Sequence, residues 1–288
     1  MSVERKCGVV ALMGETNAGK STLINALVGQ KVSIVSRKIQ TTLGKTVGIV
    51  VRGGSQVVLL DTPGFIVSGN RNLELSEKII WSACRESDEV LLLVDVSRVD
   101  FATSITLLRK IDAAKKISLV LNKIDLIPKP KLLEIASMFG AVRDLENVFM
   151  TSSLYNSGVS DIVEYLAVAL PSRNWMYEED QVTDATFEQY VSEITREHIY
   201  NYLHQEIPYN CKVEVESCKN QADGSLRLVQ NIYVNTQAHR KIFLGRGGRK
   251  IRTIGTAARK ELSQLLNKPV HLFLHVYEKR PDSAEKPQ

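Results

Sequence analysis

Short apolar runs at 9–13, 46–52, 56–60, 89–94, 117–121 and 147–150 punctuate the first half of the chain. Between them, stretches at 22–27, 73–85, 104–113, 131–139 and 159–170 carry apolar residues at helical spacing. Runs that are apolar throughout belong to strands buried on both faces, and strands alternating with helices predict a mostly parallel sheet with helices on both sides. Gly53-Gly54 joins 46–52 to 56–60 as a hairpin. Beyond residue 185 the pattern changes. A helix over 186–204, with apolar positions at Phe187, Tyr190, Val191, Ile194 and Ile199, precedes alternating strands at 211–218 and 226–234 that turn at Asp223-Gly224. Two helices flanking a glycine loop and a last strand at 270–277 complete an α-β-β-α-α-β order.

Length fits this division, since 288 residues exceed what one core usually serves. Leu170-Pro171-Ser172 through Glu178-Glu179-Asp180 breaks the alternation with proline and acidic residues, although Trp175 and Tyr177 argue for packing against a domain. The expected layout is an α/β domain over 1–170, a linker over 171–185, an α+β domain over 186–280 and a polar tail over 281–288. Hydrophobic content of 44% and charged content of 24% fit a soluble globular protein. No signal peptide precedes the first strand, and no apolar run is long enough to span a bilayer. The scattered Cys7, Cys84, Cys211 and Cys218 form no zinc pattern and read as reduced thiols of a cytoplasmic protein.

Chemistry concentrates where strands end. Gly14-Glu15-Thr16-Asn17-Ala18-Gly19-Lys20-Ser21, between a strand and a helix that opens with Thr22, is a phosphate-binding P-loop. Its backbone N–H groups cradle a polyphosphate, Lys20 reaches the β/γ-phosphates, and Ser21 offers a hydroxyl to Mg²⁺. Asp61-Thr62-Pro63-Gly64 ends another strand. Its aspartate can hold Mg²⁺ through water and its Gly64 N–H can sense a γ-phosphate, while a plain type II turn fits the same residues. In Asn122-Lys123-Ile124-Asp125 the Asp125 carboxylate suits the two adjacent donors of guanine, which adenine lacks. Thr151-Ser152-Ser153 offers a backbone N–H to guanine O6, or merely a loop of small residues.

In the second half, Gly245-Arg246-Gly247-Gly248 lies between two helices, as in KH domains that clamp single-stranded nucleic acid. Phe243, Leu244, Ile251 and Ile254 are expected to wall an apolar groove under the bases. From 237 to 260 the chain carries Arg240, Lys241, Arg246, Arg249, Lys250, Arg252, Arg259 and Lys260 and no acid, a pattern suited to tracking phosphates. A merely solvated basic helix is the plainer reading.

In order and interval, the three strand-end motifs resemble the G domain of translation-factor-related GTPases. With the KH module, and with Glu179-Asp180-Gln181-Val182-Thr183-Asp184, Glu193-Ile194-Thr195-Arg196-Glu197 and Glu206-Ile207-Pro208-Tyr209, nearly the whole chain resembles the Era family of bacterial ribosome-assembly GTPases. The resemblance implies a G domain followed by a type II KH domain, with GTP, GDP and Mg²⁺ as ligands. It places a first-switch threonine, which binds Mg²⁺, at Thr41 or Thr42, with Thr42 favoured. Lys20, Thr42 and Gly64 are then the residues acting on the transferred phosphate. It further implies a monomer that binds 16S ribosomal RNA near its 3′ end on the maturing 30S subunit, and peripheral association with the inner membrane. A rival reading is an RNA chaperone in which GTP is mainly structural.

Departures bear on rate. Leu43 stands where the family usually has arginine, Ser153 where it has alanine, and Phe65-Ile66-Val67-Ser68-Gly69-Asn70 differs from the usual second switch. Phe65 occupies the position of the water-orienting glutamine of Ras-like enzymes, so intrinsic hydrolysis should be slow. Asn17 is where related GTPases ligate a potassium ion, or else it only shapes the loop.

Overall fold

The computed structural model describes residues 5–35, 46–66, 72–203 and 211–278, which fall into two compact units, 1–184 and 185–288. In the first, β1 (Lys6–Gly14), α1 (Lys20–Val28), β2 (Thr46–Arg52), β3 (Ser55–Asp61), α2 (Asn72–Glu86), β4 (Glu89–Asp95) and α3 (Ala102–Lys110) follow in order. Then come β5 (Lys116–Asn122), α4 (Lys129–Gly140), β6 (Asn147–Thr151) and α5 (Val159–Ala169). The sheet runs β2-β3-β1-β4-β5-β6, parallel except for the β2–β3 hairpin.

The alternation of β1 shows why this sequence makes a doubly covered sheet. Cys7, Val9, Ala11 and Met13 pack with Ile80 of α2, Leu107 of α3 and Phe139 of α4. Val10 and Leu12 pack on the opposite face with Leu23 and Ile24 of α1 and Ile162 and Leu166 of α5. α4 begins two residues before its sequence pattern suggests, because Pro130 is pre-set for the first turn of a helix and lacks an N–H that would go unpaired there.

The segment from 171 onward, expected as a linker, belongs with the first unit. Cys7 donates its N–H to Pro171 O (3.1 Å), Trp175 Nε1 donates to Gly54 O (3.2 Å), and Ile49 N–H donates to Val182 O (2.9 Å). Gln56 is fully buried. Its Oε1 accepts from the N–H groups of Met176 (2.8 Å) and Tyr177 (3.1 Å), and its Nε2 donates to Tyr177 O (2.9 Å). A polar side chain in a buried strand is tolerated because every bond it makes ties this segment down.

The second unit contains α6 (Phe187–Tyr202), β7 (Cys211–Asn220), β8 (Leu226–Val234), α7 (Gln237–Leu244), α8 (Arg249–Leu265) and β9 (Val270–Glu278). Its sheet is β7-β8-β9, antiparallel then parallel. Thr186 caps α6 in a reciprocal capping box with Gln189. One face of the sheet is covered by α6 and α8, which bury Val191, Ile194, Ile254 and Leu262 against Leu228, Ile232 and Val276. Among the described residues, no helix is long and apolar enough to cross a membrane.

Candidate nucleotide and RNA sites

Gly14, Asp61, Asp95, Asn122 and Thr151 are the last residues of their strands, so the motifs converge at one end of the sheet. The P-loop requires its glycines there. A Cβ on Gly14 (φ 156°) would sit 2.4 Å from Leu93 O, and one on Gly19 (φ 100°) would sit 2.3 Å from Asn122 Nδ2. Lys20 is buried and folds back, donating to Gly14 O (3.1 Å) and Glu15 O (2.8 Å). Burial depresses its pKa to about 8 despite the opposing carboxylates of Asp61 and Glu15. An ammonium held this way favours an anion that restores its charge.

Asp61 is the complementary group. Its Oδ2 accepts from the hydroxyls of Ser21 (2.8 Å) and Ser33 (2.7 Å), while Oδ1, buried, has no hydrogen-bond partner among the described residues. Burial raises its pKa against the pull of Lys20 and both serines. A buried carboxylate with one unsatisfied oxygen beside a serine hydroxyl is a donor set that fits a hard cation such as Mg²⁺. Gly64 closes on the P-loop: a Cβ there would lie 2.6 Å from Thr16 Cα, and the next residue, Phe65, donates its N–H to Gly14 O (3.0 Å). Thr62 and Pro63 are buried, and the Thr62 hydroxyl is spent on Leu12 O (2.7 Å), so these two hold the motif's shape. The Phe65 ring is buried edge-on to Trp81 (centroids 6.4 Å apart), away from where water could be oriented.

Asn122 is the hinge pin of the base side. Its amide donates to Ala18 O (2.9 Å), and its Oδ1 accepts from Thr151 Oγ1 (3.2 Å), Ser153 N (3.1 Å) and Ser153 Oγ (2.8 Å). Asp125 is exposed and accepts from the Ser152 hydroxyl, which aims the carboxylate. The Ser152 and Ser153 N–H groups, expected to face guanine O6, have partners within the protein. The Ser152 N–H goes to Ser157 O (3.0 Å) and that of Ser153 to Asn122, so these serines brace the two recognition side chains.

A charge network missed by motif reading lies under the loop. The Glu15 carboxylate does not face the phosphate position. It is buried, paired with the Arg98 guanidinium and accepting from Ser104 Oγ (2.5 Å). Arg98 also donates to Thr16 O (2.6 Å), and Lys123 bridges Asn17 O (2.8 Å) to Asp95 (2.6 Å). Burial works to raise the Asp95 pKa, but the Lys123 ammonium and Ser97 outweigh it and hold the carboxyl below its usual range. Glu15, Thr16 and Asn17 are therefore fixed from outside, leaving the loop's backbone set before any ligand arrives. Asn17 itself is exposed at φ 63°. Thr22 follows Ser21 in the first turn of α1, and Thr41 and Thr42 lie outside the described residues.

In the second unit Gly245, Gly247 and Gly248 all have positive φ (67°, 59° and 74°), and nothing lies within 4 Å of a Cβ on Gly247 or Gly248. The loop is thus open backbone at the positive end of α8, and Arg246, Arg249, Lys250 and Arg252, all exposed, surround it. Two groove assignments do not hold. Phe243 and Ile254 are fully buried in the core and cannot meet a base, because their helix faces turn toward the sheet. Leu244 and Ile251, partly buried, remain at the rim.

Comparison with known proteins agrees with this geometry. Residues 9–123 match the family described as 50S ribosome-binding GTPase, and 206–282 match the KH domain family. Proteins named GTPase Era from Sinorhizobium medicae and Rhizobium meliloti are each 44% identical over 96% of this chain, and the matches cover 89% and 88% of their own lengths. The chain belongs to the Era family of GTPases. A point variant of Era from Aquifex aeolicus, bound to GDP·AlF₄⁻, superposes with a TM-score of 0.87 at 28% identity, over 96% of this chain and 95% of that one. An Era structure with MgGDPNP and nucleotides 1506–1542 of 16S ribosomal RNA matches with the same scores and coverage. The Era-type chain is accordingly a GTPase with a mostly parallel G domain followed by a KH domain.

Proposed function

We propose that this Era-family chain is a GTP-hydrolysing switch in the bacterial cytoplasm, timing the binding of its KH unit to 16S ribosomal RNA near the 3′ end during 30S assembly. The observation that carries the reading is one chain holding both a preset phosphate-and-guanine site and an open, basic glycine loop. A relative matched over nearly the whole chain was crystallised with a GTP analogue, Mg²⁺ and the 16S segment together. Residues 14–22 would cradle the phosphates, with Lys20 and the Gly64 N–H at the γ-phosphate and Asp125 on the guanine edge, steadied by Asn122 and Lys123. Ser21 and Asp61 would hold Mg²⁺, which when bound neutralises charge developing between the β- and γ-phosphates.

With Phe65 turned into the core, the chain supplies no water-orienting side chain there, and slow intrinsic turnover follows. We place a potassium ion beside Asn17 as the missing positive charge. Hydrolysis should then run at least several-fold faster in KCl than in NaCl at equal ionic strength, and equal rates would remove potassium from the account.

Gly247→Asp tests the RNA half. Aspartate tolerates the left-handed backbone at this position, so the unit should fold, yet its charge would repel phosphate. RNA affinity should fall at least tenfold with basal GTPase unchanged, and a variant that binds RNA like the parent would remove the groove from the proposal.

A further inference from the structure

The sheet face of the second unit that its helices do not cover carries an unusual set of side chains. Along β9, Val270 and Val276 are buried inward, while His271, Phe273, His275 and Tyr277 are exposed. Their register neighbours on β8 are Arg227, Val229, Asn231 and Tyr233, and β7 adds Lys219, Ser217, Glu214 and Lys212 in the same rows. Phe273 and Tyr277 are 45% and 46% exposed, large values for aromatic rings in a strand. The rings are grouped, with Tyr233 and Tyr277 centroids 6.0 Å apart at 30° and His275 6.3 Å from Tyr277. The Arg227 guanidinium lies 5.0 Å from the Phe273 centroid, beside a hollow of about 370 Å³ lined by Gln221, Asp223, Ser225, Arg227, His271 and Phe273.

From this arrangement we propose that the open face, centred on Phe273 and Tyr277, is a second RNA-contacting surface that stacks unpaired bases leaving the glycine-loop groove. Aromatic side chains at alternate positions on an exposed strand stack two or three successive bases, and a guanidinium over one ring adds a cation to the stack. The charge balance suits a polyanion. Lys212 and Glu214 offset one another (2.6 Å), and Lys219 and Arg227 then outnumber Asp223, which is turned onto the Ser225 N–H and hydroxyl. Continuity favours RNA as the occupant. β9 is the edge strand, and its inward Leu274 belongs to the same apolar cluster as Leu244 and Ile251 at the groove rim. A strand leaving the groove therefore needs only to round one open edge to reach Phe273.

This inference rests on the glycine loop being an RNA groove, so the experiment separates the two. The full chain is titrated with RNA of 16S nucleotides 1506–1542. The Phe273→Ala/Tyr277→Ala double variant, which removes two exposed rings and no core residue, should lose at least tenfold in affinity with basal GTPase unchanged. Phe273→Trp should bind like the parent, and its added fluorescence, taken as the difference from the parent, should be quenched by stacking as RNA saturates. Unchanged affinity in the double variant, or an unquenched Trp at saturation, overturns the proposal. Gly247→Asp run alongside reports on the groove alone: if it binds like the parent while the double variant does not, the groove reading fails and the stacking surface stands.

Discussion

Replacing Lys20 by alanine should weaken GTP binding about 10³-fold, measured by titration with GDPNP. Hydrogen bonds to charged groups are worth roughly 1.5–3 kcal/mol each, and losing two of them removes about 4 kcal/mol. RNA binding without nucleotide should survive, since Lys20 lies in the first unit and the glycine loop in the second. The same lysine sets a pH dependence. Its pKa is depressed to about 8 in the free protein, and a bound triphosphate would raise it. Affinity should thus be constant with respect to this group below pH 8 and fall about tenfold per unit above it, as binding must then take up a proton. An affinity flat from pH 7 to 9 would contradict the depressed pKa of Lys20.

Asp125→Asn should cost on the order of 10³-fold or more in GTP affinity, since a site built around a hydrogen-bonding pattern rejects a mismatch by up to about 10⁴–10⁵. The carboxylate offers two acceptors to two guanine donors, whereas an amide offers one acceptor and one donor. Xanthosine triphosphate, with a carbonyl where guanine has its amine, should gain in the variant. The new side chain can still accept from the Ser152 hydroxyl, so the loop should keep its shape. Retained preference for GTP over xanthosine triphosphate would move base recognition away from Asp125.

What could be read from sequence was whatever is encoded locally. The strand before Gly14, the turn at Gly53 and the converging motif ends follow from periodicity and from backbone needs that few residues meet. The Glu15–Arg98–Ser104 network was not legible because its members lie 83 and 89 residues apart, and a carboxylate in a phosphate loop has no local signature of where it points. Phe243 and Ile254 were misplaced for a related reason: helical spacing says that a face is apolar, not whether a ligand or a sheet lies beneath it. The docking of 171–182 did leave a trace. Gln56, a polar residue inside an apolar strand, is buried because it binds the backbone of Met176 and Tyr177, and a polar break in such a run asks for partners elsewhere in the chain.

If the chain is a switch, its nucleotide state governs RNA binding. The affinity of the full chain for 16S nucleotides 1506–1542 is measured with GDPNP and then with GDP, at fixed Mg²⁺ and salt. Coupling between sites of this kind typically spans about 1–3 kcal/mol, so binding should be about tenfold tighter with GDPNP. Equal affinity in the two states would contradict the account and leave a GTPase and an RNA-binding unit that merely share a chain.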